Sequence, residues 1–513
     1  MVKLKDKFQS YSLFLYLLPL FFIFHGYIEF FGFFPLAFVL LNLIITFAGT
    51  LVLFLFSTIL LKHKQKCSLL TFWILLVFLF FGSIHDTIIK FLGHGFFSSY
   101  KFILLLLMII FLFFLFILHK TALPYKKTYL FLNTLFIIFI LFEFGSGIQK
   151  YVQQKKGANL IDNRFTAYKN TPTTSIIDSL KPDIYFLVFD GMPSTKAMNE
   201  HWGFNNSSLD TFLRNQNFYI SQYSKSNYNL TVLSLSSTLN MDYTPSIDIS
   251  QDEIKMYFKA SSSLLNNSLT NFLTKESYQI FQYQSISFVN KDWDGSLFFK
   301  DMLYMNYFYK TLPGRIYRDL GWHFSSLKLN FIKNFYYSKY EKRNIKAEED
   351  INHLIHLVKN SCDTTKVRPQ FVFAHFLIPH DPFIFDSSGK RKETSLTIQL
   401  SEEEQVSAFI DQVKYSNKLI EQLVTYIKRN NKKNTVILLE GDHGYRNIYG
   451  KKGYMIFENL NAIYLPGKDH KTLYPSISPV NSFRVILNKY FSANLPLLQD
   501  SSIFIPYTLQ GEK

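Results

Sequence analysis

Three short stretches of this 513-residue chain each leave acidic or imidazole groups just beyond an apolar run. Asp190-Gly191 follows Ile184–Phe189, His380-Asp381 follows Phe371–Ile378 and Pro379, and Asp442-His443-Gly444 follows Thr435–Leu439. Runs this short and apolar, bounded by Gly or Pro, predict buried central strands. Open α/β sheets bind ligands beyond the carboxyl ends of their strands, so the three stretches are expected to meet at one edge. A carboxylate from one strand and an adjacent carboxylate and imidazole from another supply three donors for a divalent cation. Asp442 and His443 would face opposite sides of a regular strand. They converge only on the turn that follows, which Gly441 and Gly444 permit.

A hydroxyl is the fourth candidate. Thr231 opens a helical apolar pattern (Val232, Leu233, Leu235, Leu239) behind Ser226-Asn-Tyr-Asn-Leu230. There it is either a helix cap, worth about 1 kcal/mol, or a nucleophile stabilised by a metal and by the positive end of the helix dipole. His375, five residues before His380, suits a core or supporting position at least as well as a ligand position. Arg446, just past Asp442-His443-Gly444, is either a surface residue or a phosphate-binding fork.

The elements that must position these groups follow from periodicity. Glu402 to Arg429 repeats at helical spacing between the second and third strands. Strands separated by helices predict a mostly parallel sheet covered on both faces, an αβα sandwich.

The first 150 residues are a different polymer. Aromatic residues make 18% of the chain and charged residues only 18%, against about 25% charged in globular domains. Five apolar runs, at approximately 11–32, 34–61, 68–93, 101–119 and 128–148, reach the roughly 18–20 residues needed to cross a bilayer. A signal peptide does not fit the first, because no small-residue cleavage site follows it and four more runs do. Lys3, Lys5 and Lys7, then Lys62, Lys64 and Lys66, then Lys120, Lys126 and Lys127 occupy alternate ends of the runs. Positive residues in short loops mark the cytoplasmic side. Five spans then leave everything after residue 150 outside the inner or plasma membrane, with the N-terminus cytoplasmic. His25, Glu29, His85, Asp86 and Glu143 lie within or beside the runs. They are functional suspects by default, or side chains snorkelling to the interface.

The expected organisation is a transmembrane domain at 1–149, a polar juxtamembrane linker at 150–180, an extracytoplasmic α/β domain at 181–490 and a C-terminal extension at 491–513. The net charge is +16, and residues 1–150 hold 12 Lys against 4 acidic residues, so half of the excess records topology. An extracytoplasmic domain without a long basic block excludes nucleic acid as a partner. Cys67 and Cys362 exclude a disulfide scaffold or a zinc ribbon.

Asp183-Ile-Tyr-Phe-Leu-Val-Phe-Asp-Gly191, Ser226-Asn-Tyr-Asn-Leu-Thr231 with the helix behind it, His375-Phe-Leu-Ile-Pro-His-Asp-Pro-Phe383 and Gly441-Asp-His-Gly444 together resemble the sulfatase-like branch of the alkaline phosphatase superfamily. Preceded by five spans, the set looks like the membrane-bound lipoteichoic acid synthases and lipid A phosphoethanolamine transferases. Asn461–Gly467 and Ser478–Arg484 also look like the C-terminal part of such members. The resemblance implies Asp190, Thr231, Asp442 and His443 as ligands of one divalent metal (Mn, Zn or Mg), Thr231 as nucleophile, and His380 and Arg446 facing the substrate. Asp190 stands where those transferases usually present a glutamate, while aspartate is found in other branches. No Cys-x-Pro-x-Arg or Ser-x-Pro-x-Arg segment occurs, so the formylglycine of true sulfatases is not expected. Asp381, His380 and His470 are available for a second metal, but nothing in their spacing assembles them. The implied function is transfer of a phosphoalkyl headgroup, phosphoethanolamine or phosphoglycerol in type, from a phospholipid donor to a cell-envelope glycan or lipid acceptor. The alternatives are a membrane-anchored hydrolase or phosphodiesterase using the same site, and a non-catalytic envelope-assembly protein.

Overall fold

The computed structural model describes residues 8–505, apart from residues 30, 32–35, 123, 165–180, 244–259, 261–262, 265–266, 285–306, 326–329, 363–367, 394–399, 432–433 and 447–453. Lys3, Lys5, Lys7, most of the expected linker and the end of the expected C-terminal extension lie outside the described residues. The chain divides into two compact units, Met1–Ala158 with Lys300–Leu327, and Asn159–Phe299 with Lys328–Lys513.

The first unit is helical: α1 (Phe14–Glu29), α2 (Leu36–Leu60), α3 (Lys64–Leu92), α4 (Tyr100–Lys120) and α5 (Lys126–Arg164). Four of these, α2, α3, α4 and α5 over Lys126–Val152, are long and apolar enough to cross a membrane. The first of the five expected spans differs. It forms a 16-residue helix, short of the roughly 20 residues that span a hydrocarbon core. The apolar run is longer than this helix because apolarity does not mark where backbone hydrogen bonding begins. Around Tyr11 and Ser12 the backbone bonds instead to Asn133, whose amide reaches the Phe8 and Tyr11 carbonyls and accepts from the Phe14 N–H. Large apolar side chains such as Ile44, Ile59, Phe113 and Phe142 are exposed on the helices, a surface suited to lipid rather than water.

Residues 307–325 belong by sequence to the stretch 181–490 and by contacts to this helical unit. The Tyr307 ring packs on Phe22 and Phe38, with centroids 5.2 and 5.8 Å apart. It covers Gly26, where a Cβ would come within 2.6 Å of it. Lys310 pairs with Glu29, and its carbonyl accepts from the Gly82 N–H at 2.9 Å. The helix Leu312–Ser325 brings buried Arg315 to Asp86 and to the His85 ring, and Asp319 accepts from the Tyr100 hydroxyl. His25 and Glu143 pair with each other at 2.8 Å. The five ionisable groups beside the apolar runs are thus matched inside the unit instead of reaching out alone to the interface.

The second unit is built on a six-stranded sheet in the order β2-β6-β5-β1-β4-β3. Its strands are β1 (Asp183–Phe189), β2 (Phe218–Ile220), β3 (Gln279–Gln284), β4 (Gln370–Phe376), β5 (Thr435–Glu440) and β6 (Asn461–Tyr464). β1 runs parallel to β4 and β5, and β3 parallel to β4; β6 is antiparallel to both β5 and β2. The sheet is therefore mixed, with β6 the reversed strand. β1, β4 and β5 are buried along their whole length, which is why they read as continuous rather than alternating apolar runs. Tyr185, Leu187 and Phe189 share one core with the helix Glu402–Asn430, and Ile184, Phe186 and Val188 share the other with the helices Thr231–Asn240 and Pro479–Phe491.

Phe186 stacks on Phe373 at 5.0 Å and meets Phe483 edge-on at 5.2 Å. Phe186→Ala is expected to cost about 3–5 kcal/mol, read as a lowered thermal midpoint of the detergent-solubilised chain.

Candidate active site

The carboxyl ends of β1, β4 and β5 lie side by side, so the groups that follow each strand meet at one edge. Asp190 continues β1, its N–H donating to the Phe376 carbonyl at 2.9 Å. Gly191 turns the chain with φ +70°, and its N–H donates to Asp442 Oδ1 at 2.8 Å, tying the ends of β1 and β5 together. Beyond β5, a Cβ on Gly441 would sit 2.1 Å from the Met192 carbonyl oxygen, and one on Gly444 1.9 Å from that of Met455. Backbone pressed this closely on backbone requires glycine. It lets Asp442 and His443 turn toward the same point.

Three donor atoms meet there. Asp190 Oδ1 lies 3.3 Å from His443 Nε2, which lies 3.5 Å from Asp442 Oδ2. All three atoms are buried and have no hydrogen-bond partner among the described residues. The second atom of each group is engaged instead. Asp442 Oδ1 takes the Gly191 N–H, His443 Nδ1 donates to the Gly444 carbonyl at 2.5 Å, and Asp190 Oδ2 sits 3.3 Å from His375 Nε2. Donation from Nδ1 leaves the His443 Nε2 lone pair free, as metal-binding imidazoles require. Metal–ligand bonds of about 2.0–2.1 Å at tetrahedral angles place donor atoms about 3.3 Å apart. The residues fit a divalent cation.

Two further histidines join the group. Donor atoms of Asp190, His380 and His443 lie within 4.8 Å of one another, as do those of Asp190, His375 and Asp442. His375 is fully buried and aimed at Asp190, which strand alternation alone left undecided. His470 is in neither group; its ring packs on Tyr219. Burial pushes the Asp190 carboxyl up, but the charge of His380 and the close approach of the His375 and His443 rings outweigh it and hold it well below the usual range.

His380 lines a shallow open cleft with Gly191, Asp381, Phe383, His443 and Arg446 among its walls. Burial lowers the basicity of its ring, yet the Asp381 and Asp190 carboxylates raise it to about 9. Arg446 Nη2 lies 2.7 Å from His380 Nε2. A guanidinium only donates, so Nε2 accepts here, and the ring carries its proton on Nδ1, which meets the Asp381 carbonyl at 2.8 Å. Through Nη1, Arg446 also reaches the Asn229 carbonyl at 3.5 Å. Asn229 lies two residues before Thr231. Thr231 is the first residue inside its helix, and Leu230 holds the cap position, so the cap reading of the hydroxyl fails. Its place at the N-terminus of a ten-residue helix keeps it at the positive end of the dipole.

One acid escaped the sequence reading. Glu440 ends β5 fully buried, with neither carboxyl oxygen hydrogen-bonded among the described residues, and burial and then the Asp442 charge push its carboxyl well above the usual range. No pattern distinguishes it from an apolar strand residue except its charge.

A family model described as sulfatase matches residues 182–477. The chain belongs to the sulfatase family. It is a sulfatase-like enzyme of the alkaline phosphatase superfamily, and the reading as a non-catalytic assembly protein gives way. No curated protein matches it. Solved structures similar to this sulfatase-family chain include the C-terminal periplasmic domain of EcEptC from Escherichia coli in complex with Zn (10% identity, TM-score 0.37, 61% of this chain and 83% of that one). Another is the C-terminal periplasmic domain of phosphoethanolamine transferase EptC from Campylobacter jejuni (12% identity, TM-score 0.33, 62% and 92%). A third is the integral membrane protein lipooligosaccharide phosphoethanolamine transferase A from Neisseria meningitidis (13% identity, TM-score 0.35, 97% and 96%).

If Asp190, Asp442 and His443 hold the ion, Asp442→Ala abolishes stoichiometric Zn²⁺ binding. His375→Ala, which removes only the partner of Asp190, weakens it about 10–100-fold. Calorimetric titration of the metal-stripped protein with Zn²⁺ checks both.

Proposed function

We propose that this protein is a membrane-anchored, metal-dependent transferase that moves a phosphoalkyl headgroup from a phospholipid, through Thr231, to a glycan or lipid acceptor of the cell envelope. The observation that carries it is the nest of three buried, unpartnered donor atoms on Asp190, Asp442 and His443. Thr231 is the fourth ligand and the nucleophile, as the family resemblance implies. A divalent cation held there, Mn²⁺, Zn²⁺ or Mg²⁺, would lower the pKa of the threonine hydroxyl and offset charge gathering on phosphorus.

The residues divide the chemistry as follows. Thr231 Oγ1, already deprotonated and regenerated as the alkoxide at the end of the cycle, forms a bond to phosphorus, and the bond from phosphorus to the diacylglycerol oxygen breaks. His380 supplies the proton that the leaving oxygen needs and takes one from the acceptor hydroxyl in the second half. Arg446, whose guanidinium lies beside His380, holds the non-bridging oxygens. Without a formylglycine segment, an unmodified threonine favours phosphoryl chemistry over sulfate-ester hydrolysis. Covalent linkage to helices long and apolar enough to cross a membrane keeps the enzyme where its lipid donor is. In this reading α1 completes a five-span bundle, the N-terminus is cytoplasmic, and the α/β domain at 181–490 is extracytoplasmic between the 150–180 linker and the 491–513 extension.

Mass spectrometry of the Thr231 peptide after exposure to native phospholipids is expected to show a phosphoalkyl adduct whose mass names the headgroup. Thr231→Ala, folded and metal-loaded, should lose both adduct and transfer. Undiminished transfer in that variant sinks the proposal. An adduct released only to water makes the enzyme a hydrolase.

A further inference from the structure

The nucleophile loop is held from a distant part of the chain. Asn229 and the backbone of Ile505 clasp each other: the side-chain Nδ2 donates to the Ile505 carbonyl at 2.9 Å, and the Ile505 N–H donates to Oδ1 at 2.8 Å. Two residues earlier, Asn227 Nδ2 donates to the Ser501 carbonyl at 3.0 Å, while Oδ1 accepts from the Val480 N–H at 2.8 Å. The backbone joins in. The Asn227 carbonyl accepts from the Ile503 N–H at 2.9 Å, Tyr228 and Ile503 form a parallel β-bridge, and Ser502 Oγ donates to the Ser226 carbonyl at 2.8 Å. Asn227 and Asn229 are buried. Residues 501–505 thus lie along 226–229 as an added edge, read on alternate residues by two asparagine amides.

We propose that this stretch is a positioning strap for Thr231, acting through Asn229; the proposal rests on Thr231 being the nucleophile and metal ligand. An amide bonded at both its oxygen and its nitrogen has one orientation. The residue carrying it is therefore fixed in place as well as in depth. Leu230 is the only residue between Asn229 and Thr231, and its carbonyl is already committed to the Ser234 N–H at 2.9 Å. The Asn229 carbonyl, in turn, accepts from Arg446, the residue that meets His380. One clasp therefore bears both on the loop that carries Thr231 and on the guanidinium that meets His380. Neither Asn229 nor Ile505 touches substrate in this account. They act through the backbone of the loop, where a displacement of 1 Å can cost about 10²-fold in rate.

The chain contains its own control. Asn488 makes the same pair of bonds with Leu495, Nδ2 to the carbonyl at 2.8 Å and the N–H to Oδ1 at 2.5 Å, away from the nucleophile loop. The test compares full-length wild type, Asn229→Ala, Asn488→Ala and Thr231→Ala for kcat and KM with a phospholipid donor, for Zn²⁺ affinity by calorimetry, and for thermal midpoint. Asn229→Ala is expected to lower kcat about 10–100-fold with KM within about threefold, and to weaken Zn²⁺ binding as Thr231→Ala does. Asn488→Ala should lower the midpoint comparably and keep wild-type kcat and Zn²⁺ affinity. Wild-type kcat and Zn²⁺ affinity in Asn229→Ala overturn the strap, and so does a parallel fall in both asparagine variants. Should Asn229→Ala not fold, Ser502→Ala removes one strap bond and must show a smaller loss in kcat at unchanged KM; wild-type kcat there also overturns it. Should the wild type transfer nothing, the functional reading fails on its own and Zn²⁺ affinity alone decides the strap. Should Thr231→Ala lose transfer while Asn229→Ala keeps it, the strap fails and the function stands.

Discussion

Two carboxylate oxygens lie 3.3 and 3.5 Å from one imidazole nitrogen in the interior, and among the described residues none of the three atoms has a hydrogen-bond partner. Like charges brought together away from water are costly unless a cation lies between them. Much of the surrounding structure is the means of enforcing that arrangement. β1 and β5 are parallel neighbours, so their ends coincide. Gly441 and Gly444 let the chain after β5 press against the turn after β1 and against the Met455 loop. The Gly191 N–H and the Gly444 carbonyl then engage the outward atoms of Asp442 and His443, leaving the inward ones free.

What was legible in the sequence is what lies beyond a strand end. Asp190, His380 and the Asp442-His443 pair each follow a continuous apolar run, and the parallel order of β1, β4 and β5 brings them together. His375 was harder to place because it lies within β4, where a buried histidine and a ligand look alike; its role depends on which neighbour its ring meets. The contacts of Asn229 with Ile505 join positions 276 residues apart, and no local period records such a pairing. Thr231 shows the limit from the other side. Its type and place before an apolar helix suited a cap, and only the backbone geometry puts Leu230 in that position.

The helical unit shows a related gap. Its apolar runs predicted helices well, since a surface apolar all round has one compatible solvent. They gave no sign that residues 307–325, more than 150 positions downstream of α5's start, would supply the partners of Glu29, His85 and Asp86. A charge in an apolar setting is tolerated when an opposite charge comes with it, and the chain delivers that charge from inside the stretch that otherwise builds the sheet domain.

Glu440 connects the sheet to the charge balance of the nest. It ends the same strand that delivers Asp442, so an ionised Glu440 would put a third negative charge beside Asp190 and Asp442. Burial first, and the Asp442 charge second, keep its carboxyl well above the usual range. Its shift is opposite to that of Asp190, whose carboxyl is held well below the usual range. The nest itself is built from one oxygen of each carboxylate and the His443 Nε2 between them. β5 thus delivers Asp442 and His443 to the nest from a strand end whose own acid, Glu440, is held back from ionising. Asp442 faces the nest, while Glu440 lies beside Thr238 of the helix that begins at Thr231.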